Sequence, residues 1–265
     1  MQPSGVITIT TDFGHKGPFV GVMKGVIVDR FRDARIIDLT HDIPAQWPPE
    51  AGFWVRRSYK YFPPGSVHVA IVDPGVGTER DILIGEYDHH WFMAPDNGLL
   101  GRMLDHAEGA AIFRLDMNAL ERLDIPPPSN TFHGRDVFAP IAAELAAGKT
   151  TPVCIATATD TWIPAWVDEP EVTGNKISGS VITVDAFGNL ISNIEKSMIE
   201  GLDDPVVHIA GHDIPLRTTY GNVKPGEYLA LVNSFDVLEV AKAESHAAES
   251  LGVERGAPIT VTSES

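Results

Sequence analysis

Asp73, Arg80 and His133 are the residues of this chain best suited to chemistry, and the spacing of the first two suggests how. They stand seven positions apart across Pro74-Gly75-Val76-Gly77, where a proline ends regular pairing and glycines let the backbone turn back. An acid and a cation at the ends of such a loop can share one small ligand, or form an ion pair that merely holds the loop. His133 lies in Phe132-His133-Gly134-Arg135-Asp136, just before a helix expected to begin near Asp136, where helix amides favour an anion. An imidazole there can serve as a base; a satisfied capping histidine is the plainer reading.

Two further acids, Asp12 and Asp38, close apolar runs in the same way as Asp73. In a parallel sheet all three face the crevice at the carboxyl ends of the strands, where ligands bind; alternatively they cap the turns that follow. Later in the chain Asp185-Ala186-Phe187-Gly188-Asn189 and Asn233-Ser234 end strand-like runs with polar and aromatic residues, a pattern shared with plain hairpins. His41, His89, His90 and His133 show no close ligand spacing, so no metal site is expected. Asp12-Phe13-Gly14 and His133-Gly134-Arg135-Asp136 look like kinase words in reversed order, without a Gly-rich loop or paired Lys, and are read as coincidence.

These residues are positioned by two differently textured halves. In the first, strands at Val6–Thr10, Arg35–Leu39 and Val67–Val72 alternate with helices at Phe19–Phe31 and Pro49–Tyr61. Ile82–Gly85 and Trp91–Ala94 read as a strand pair, and Asn97–Leu104 and Val137–Ala147 as helices. This alternation implies an α/β domain over 1–149 with a mixed, largely parallel sheet and crossover helices. A Thr-, Pro- and Trp-rich linker is expected over 150–170. Beyond it, short strand-like runs at 176–184, 190–194, 206–209, 213–216, 228–232 and 259–262, with one helix at 244–251, imply a small antiparallel β-barrel over 171–265.

Composition narrows the classes. The chain has 265 residues, 43% hydrophobic, with a formal net charge of -16. That length and balance suit folded domains, and the acidic charge without a basic run argues against nucleic acid. One cysteine, Cys154, excludes an internal disulfide. No apolar stretch approaches a membrane span and no leader pattern is seen, so no membrane partner and a cytoplasmic location are expected.

Taken in order, Thr11-Asp12-Phe13-Gly14, Asp38-Leu39-Thr40-His41, Asp73-Pro74-Gly75-Val76-Gly77, Ala94-Pro95-Asp96-Asn97-Gly98-Leu99-Leu100, Phe132-His133-Gly134-Arg135-Asp136, Phe187-Gly188-Asn189 and Asn233-Ser234 resemble the S-adenosylmethionine hydroxide adenosyltransferases, hydrolytic relatives of fluorinase and chlorinase. The resemblance implies attack of water-derived hydroxide on ribose C5′ of S-adenosylmethionine, giving adenosine and methionine without a cofactor. It carries the catalytic set onto Asp73, Arg80 and His133, with Arg80 stabilising the nucleophile, His133 taking the proton and Asp73 orienting one of them. It also implies that Asp12 and Asp73 belong to the substrate pocket, Asp12 on the ribose diol. Asp185 and Asn189 fall on the methionine amino group, Ser234 on its carboxylate, and Phe187, Tyr220 and Glu239 on the adenine side. The family fold is an α/β domain followed by a small barrel, and its homotrimers place each site between subunits. Phe235-Asp236 departs from the usual glycine-bearing turn, which bears on carboxylate and adenine binding. A non-catalytic adenosine sensor and a chloride-dependent halogenase are the rival readings. The His133 position argues against the halogenase, because the halogenating relatives carry a different residue type there.

Overall fold

The computed structural model describes residues 1–263, which form two compact units, Met1–Trp166 and Val167 onward. In the first unit seven strands form one mixed sheet. They are β1 (Val6–Thr11), β2 (Arg35–Thr40), β3 (Val67–Ile71), β4 (Ile82–Tyr87), β5 (His90–Pro95), β6 (Ala111–Leu115) and β7 (Ala156–Ala158), ordered β2-β1-β3-β5-β4-β6-β7. Pairing is parallel from β2 through β5 and antiparallel from β5 through β7.

β3 shows why this half is layered. All five of its residues are buried, so both faces of the strand must be covered. Val67, Val69 and Ile71 join the core shared with Met23 and Ile27 of helix α1 (Phe19–Arg30) and with Ile141 and Leu145 of the helix Ala139–Ala146. Ala70 and the following Val72 join the opposite core, with Val55 of helix α2 (Pro48–Ser58), Phe92 and Leu104. That second face also buries two histidines. His68 Nε2 lies 3.0 Å from His90 Nδ1, its Nδ1 lies 2.8 Å from the Thr8 hydroxyl, and its ring stacks on Phe92. Burial, then the neighbouring His90, pushes His68 down to about 3, which leaves the ring neutral at ordinary pH.

Two expectations shift. The helix expected over Asn97–Leu104 is reduced to Gly101–Asp105, because Gly98 takes φ +89 and Asn97 turns its side-chain amide to the Val72 carbonyl, 2.8 Å away. The stretch expected as linker supplies Pro152–Ile155 as a helical turn and β7 as the last strand of the first sheet. Trp162 then donates to Asp105 and Trp166 packs edge-on against Trp47.

Every pair of named strands in the second unit is antiparallel. Its strands are β8 (Glu171–Thr173), β9 (Lys176–Val184), β10 (Leu190–Glu195), β11 (Val206–Ile209), β12 (His212–Pro215), β13 (Tyr228–Val232), β14 (Val237–Lys242) and β15 (Pro258–Thr262), ordered β12-β11-β15-β9-β10-β14-β13, with β8 beside β9. Leu216, just past β12, bridges to Ala230 of β13, and Arg217 donates to the Ala230 carbonyl at 2.7 Å. The sheet therefore almost closes on itself around Ile177, Val181, Leu190, Val207, Leu238 and Val261. Among the described residues no helix is long and apolar enough to cross a membrane.

Candidate active site

The carboxyl ends of β1 and β3 place Asp12 and Asp73 on a cleft of about 750 Å³, which is also lined by Phe13, Phe19, Gln46, Phe132, His133 and Arg135. Asp73 follows the last residues of β3, and Pro74 cannot continue the ladder, so the chain leaves the sheet there and returns at Arg80. Gly77 makes that return possible. It takes φ +80, and a Cβ on it would collide with the Asn130 carbonyl, so the loop carrying Arg80 lies directly against the loop carrying His133. His133 is followed at once by a π turn, Gly134–Phe138, that runs into the buried helix Ala139–Ala146. The helical turn thus begins two residues earlier than the sequence suggests, and wide turns of this type recur at functional sites.

The three residues meet as one constellation. Arg80 Nε donates to both Asp73 carboxylate oxygens, at 3.1 Å to Oδ1 and 2.9 Å to Oδ2, and Nη2 donates to Oδ2 at 2.5 Å. The same Nη2 lies 3.0 Å from His133 Nδ1. The Asp73 and Arg80 side chains are only 5% and 11% exposed, so this pair is poorly screened by water and its geometry is held firmly. Asp73 and His133 line the cleft while Arg80 braces both. Burial first, and the Arg80 charge second, hold His133 below the usual imidazole range, so the ring is neutral near pH 7.

A second clamp forms around the turn that follows His133. Asp136 Oδ2 accepts from Ser129 N at 2.9 Å and from Ser129 Oγ at 2.5 Å, while Arg135 donates to both Asp136 oxygens. Burial opposes ionisation of Asp136, but Arg135 and Ser129 outweigh it and bring the carboxyl down to about 2. Asp12 Oδ2 accepts from the Gln46 amide at 3.0 Å. Asp38, by contrast, does not line the cleft; it pairs with Lys24 at 2.6 Å and with His41 at 3.0 Å.

One wall of the cleft escapes a reading of the sequence. Phe13, Phe19 and Phe132 form an edge-to-face triangle with centroids 5.5 to 6.2 Å apart, and the Arg135 guanidinium stands 5.3 Å from the Phe132 ring. Such a wall can receive a flat ring or a delocalised cation. Its only signal in the sequence is Phe19, an aromatic at the start of a helix that buries other positions.

The second unit gathers the remaining expected residues, except that Ser234 keeps to an exposed turn. Asp185 Oδ1 accepts from the Phe187 and Asn189 amides at 2.9 Å each, and Asn189 Nδ2 donates to Oδ2 at 3.1 Å. Gly188 (φ +82) holds this loop tight, since a Cβ there would overlap the His246 ring. Nearby, buried Glu239 accepts from the Tyr220 hydroxyl at 2.6 Å and from Asn233 Nδ2 at 3.1 Å. Burial raises the Glu239 carboxyl, and the Asp185 charge adds to that against the Tyr220 and Asn233 hydrogen bonds. The Phe187 ring is 77% exposed and Tyr220 48%. Ser234 lies in the turn after β13, where Asp236 adopts φ +57. Aspartate tolerates that left-handed conformation better than most residues, which is how Phe235-Asp236 can stand in place of a glycine turn.

Among the described residues no group of three His, Cys, Asp or Glu is placed to hold a metal. The model of the SAM hydroxide adenosyltransferase N-terminal domain matches residues 7–154, and that of the C-terminal domain matches 179–260. The chain is 34% identical to (R)-S-adenosyl-L-methionine hydrolase of Thermus thermophilus over 94% of its own length and 96% of that protein. It is 23% identical to a fluorinase of Actinopolyspora mzabensis over 97% of each chain. The crystal structure of an uncharacterized conserved protein from Thermotoga maritima superposes with a TM-score of 0.87 at 32% identity, covering 97% of this chain and 99% of that one. With both domain models matched in order along the chain, it belongs to the SAM hydroxide adenosyltransferase family.

Proposed function

We propose that this protein hydrolyses S-adenosyl-L-methionine to adenosine and L-methionine by attack of a water-derived hydroxide on ribose C5′. The observation that carries the reading is the buried Asp73–Arg80–His133 contact at the edge of an aromatic-walled cleft. The leaving group is a neutral thioether departing from a sulfonium, so no general acid is needed, and the site has only to aim and deprotonate a water. A fixed guanidinium supplies the charge that stabilises a forming hydroxide, and alignment of water with the C5′–S bond accounts for much of the acceleration.

For binding, Asp12 takes the ribose diol through its less occupied oxygen, Asp185 and Asn189 the methionine amino group, and Ser234 its carboxylate. Phe187, Tyr220 and Glu239 form the adenine side. S-adenosylmethionine and water supply every atom of the products, so the reaction calls for no cofactor. Relatives named for the (R)-sulfonium epimer support that epimer as the preferred substrate, and identity to a hydrolase well above that to a fluorinase favours water over halide. The active form is a cytoplasmic homotrimer whose sites combine the first-unit cleft of one subunit with the second-unit cluster of a neighbour; sedimentation at the monomer mass sinks this assembly.

The deciding experiment incubates purified protein with each sulfonium epimer and quantifies adenosine and methionine by mass. Equimolar products, faster from the (R) form and unchanged by chloride, are expected. Tight adenosine binding without product favours a sensor, and 5′-chloro-5′-deoxyadenosine in chloride favours a halogenase.

A further inference from the structure

Which group takes the water's proton can be read from hydrogen-bond direction. Arg80 Nη2 faces His133 Nδ1 at 3.0 Å, and a guanidinium offers donors only and stays charged. Nδ1 is therefore the acceptor and carries no proton, so the neutral ring keeps its single proton on Nε2. The one lone pair of the neutral His133 ring is therefore directed at Arg80, while the following turn is held separately by Asp136, which accepts from both the amide and the hydroxyl of Ser129.

Asp73 is differently placed. Oδ2 accepts two bonds from Arg80, but Oδ1 accepts only one, at 3.1 Å. A carboxylate oxygen has room for more than one donor, and Asp73 lines the cleft. We infer that Asp73, through Oδ1, accepts the proton of the attacking water, and that His133 is a positioning residue whose Nδ1 holds the Arg80 guanidinium in place. This rests on the hydrolysis proposed above and divides the labour within it, reversing the sequence-based assignment of His133 as base.

In the step, one O–H bond of water breaks and its proton passes to Asp73 as the oxygen bonds to C5′. The C5′–S bond breaks with its electron pair remaining on sulfur, giving neutral methionine thioether, and the proton then leaves Asp73 for solvent. A carboxylate suffices because the sulfonium departs without protonation, so deprotonation need only keep pace with C–O bond formation.

The test compares His133→Asn, whose amide oxygen can still accept from Arg80 but which has no basic nitrogen, with Asp73→Asn. His133→Asn is expected to keep kcat within about tenfold of wild type, and Asp73→Asn to lose about 10²- to 10⁴-fold. A larger loss in His133→Asn, or a smaller one in Asp73→Asn, overturns the inference. Nitrogen-15 NMR of the His133 ring supplies a readout independent of turnover and of variant folding: the Nε2–H tautomer is expected, and an Nδ1–H tautomer overturns the assignment. Wild-type protein that releases no adenosine ends the hydrolysis reading, whereas the ring spectrum still decides whether His133 has a lone pair to offer.

Discussion

Asp73 in the first unit and Glu239 in the second are both nearly buried carboxylates, at 5% and 2% exposed, yet they are satisfied by different partners. Asp73 is met by a guanidinium, so its charge is balanced where it stands. Glu239 is met by a neutral hydroxyl and a neutral amide, with Asp185 adding negative potential nearby. The difference fits the binding proposed above for each region. A forming hydroxide needs a fixed cation, whereas an ammonium group needs a negative field that no built-in cation has cancelled.

The sharpest way to break this contrast is to remove one element from each side. Arg80→Ala should lower kcat by about 10³-fold with a small change in KM, because the charge it stabilises develops only in the transition state. Asp185→Asn should raise KM by about 10- to 100-fold and largely spare kcat, since a hydrogen bond to a charged group contributes about 1.5 to 3 kcal/mol. Steady-state kinetics on both variants checks the pair, and interchanged effects would dissolve the distinction.

A smaller effect should appear in stability. His68 is held near 3, below the imidazole's ordinary value of 6.5, so on acidification the unfolded chain takes up a proton that the folded first unit refuses. The first unit should lose stability steadily as pH falls below 6.5. Glu239 is raised above 4.5, so its folded form is penalised for ionising and the second unit should gain stability as pH falls through that raised value toward 4.5. Hydrogen exchange of β3 and β14 amides as pH falls from 7 to 4.5 should move in opposite directions, and Glu239→Gln should flatten the second trend.

What is legible in the sequence follows burial. β1 and β3 stand out because both faces are covered, leaving unbroken apolar runs, and the Asp73, Arg80 and His133 positions are fixed by turn chemistry around them. β14 does not stand out because Glu239 interrupts Val237-Leu238-Glu239-Val240-Ala241, and its partners Tyr220 and Asn233 arrive from other segments. β6 is short, and β7 is a three-residue strand inside the stretch whose Thr and Pro residues read as linker. The phenylalanine triangle depends on three segments converging, and no local pattern encodes that. Hydrogen-bond direction at His133 likewise requires Arg80 in place.

The π turn at Gly134–Phe138 has a consequence for how this chain can vary in length. Each residue of an ordinary helix advances the direction of its side chains by about 100°, and a π turn accommodates one residue more than the surrounding helical repeat. Removing one residue from this turn would let the helix relax to regular winding and keep Ile141 and Leu145 packed, while swinging the imidazole by about a quarter revolution away from Arg80. A single-codon deletion here should therefore spare the scaffold and disconnect the chemistry.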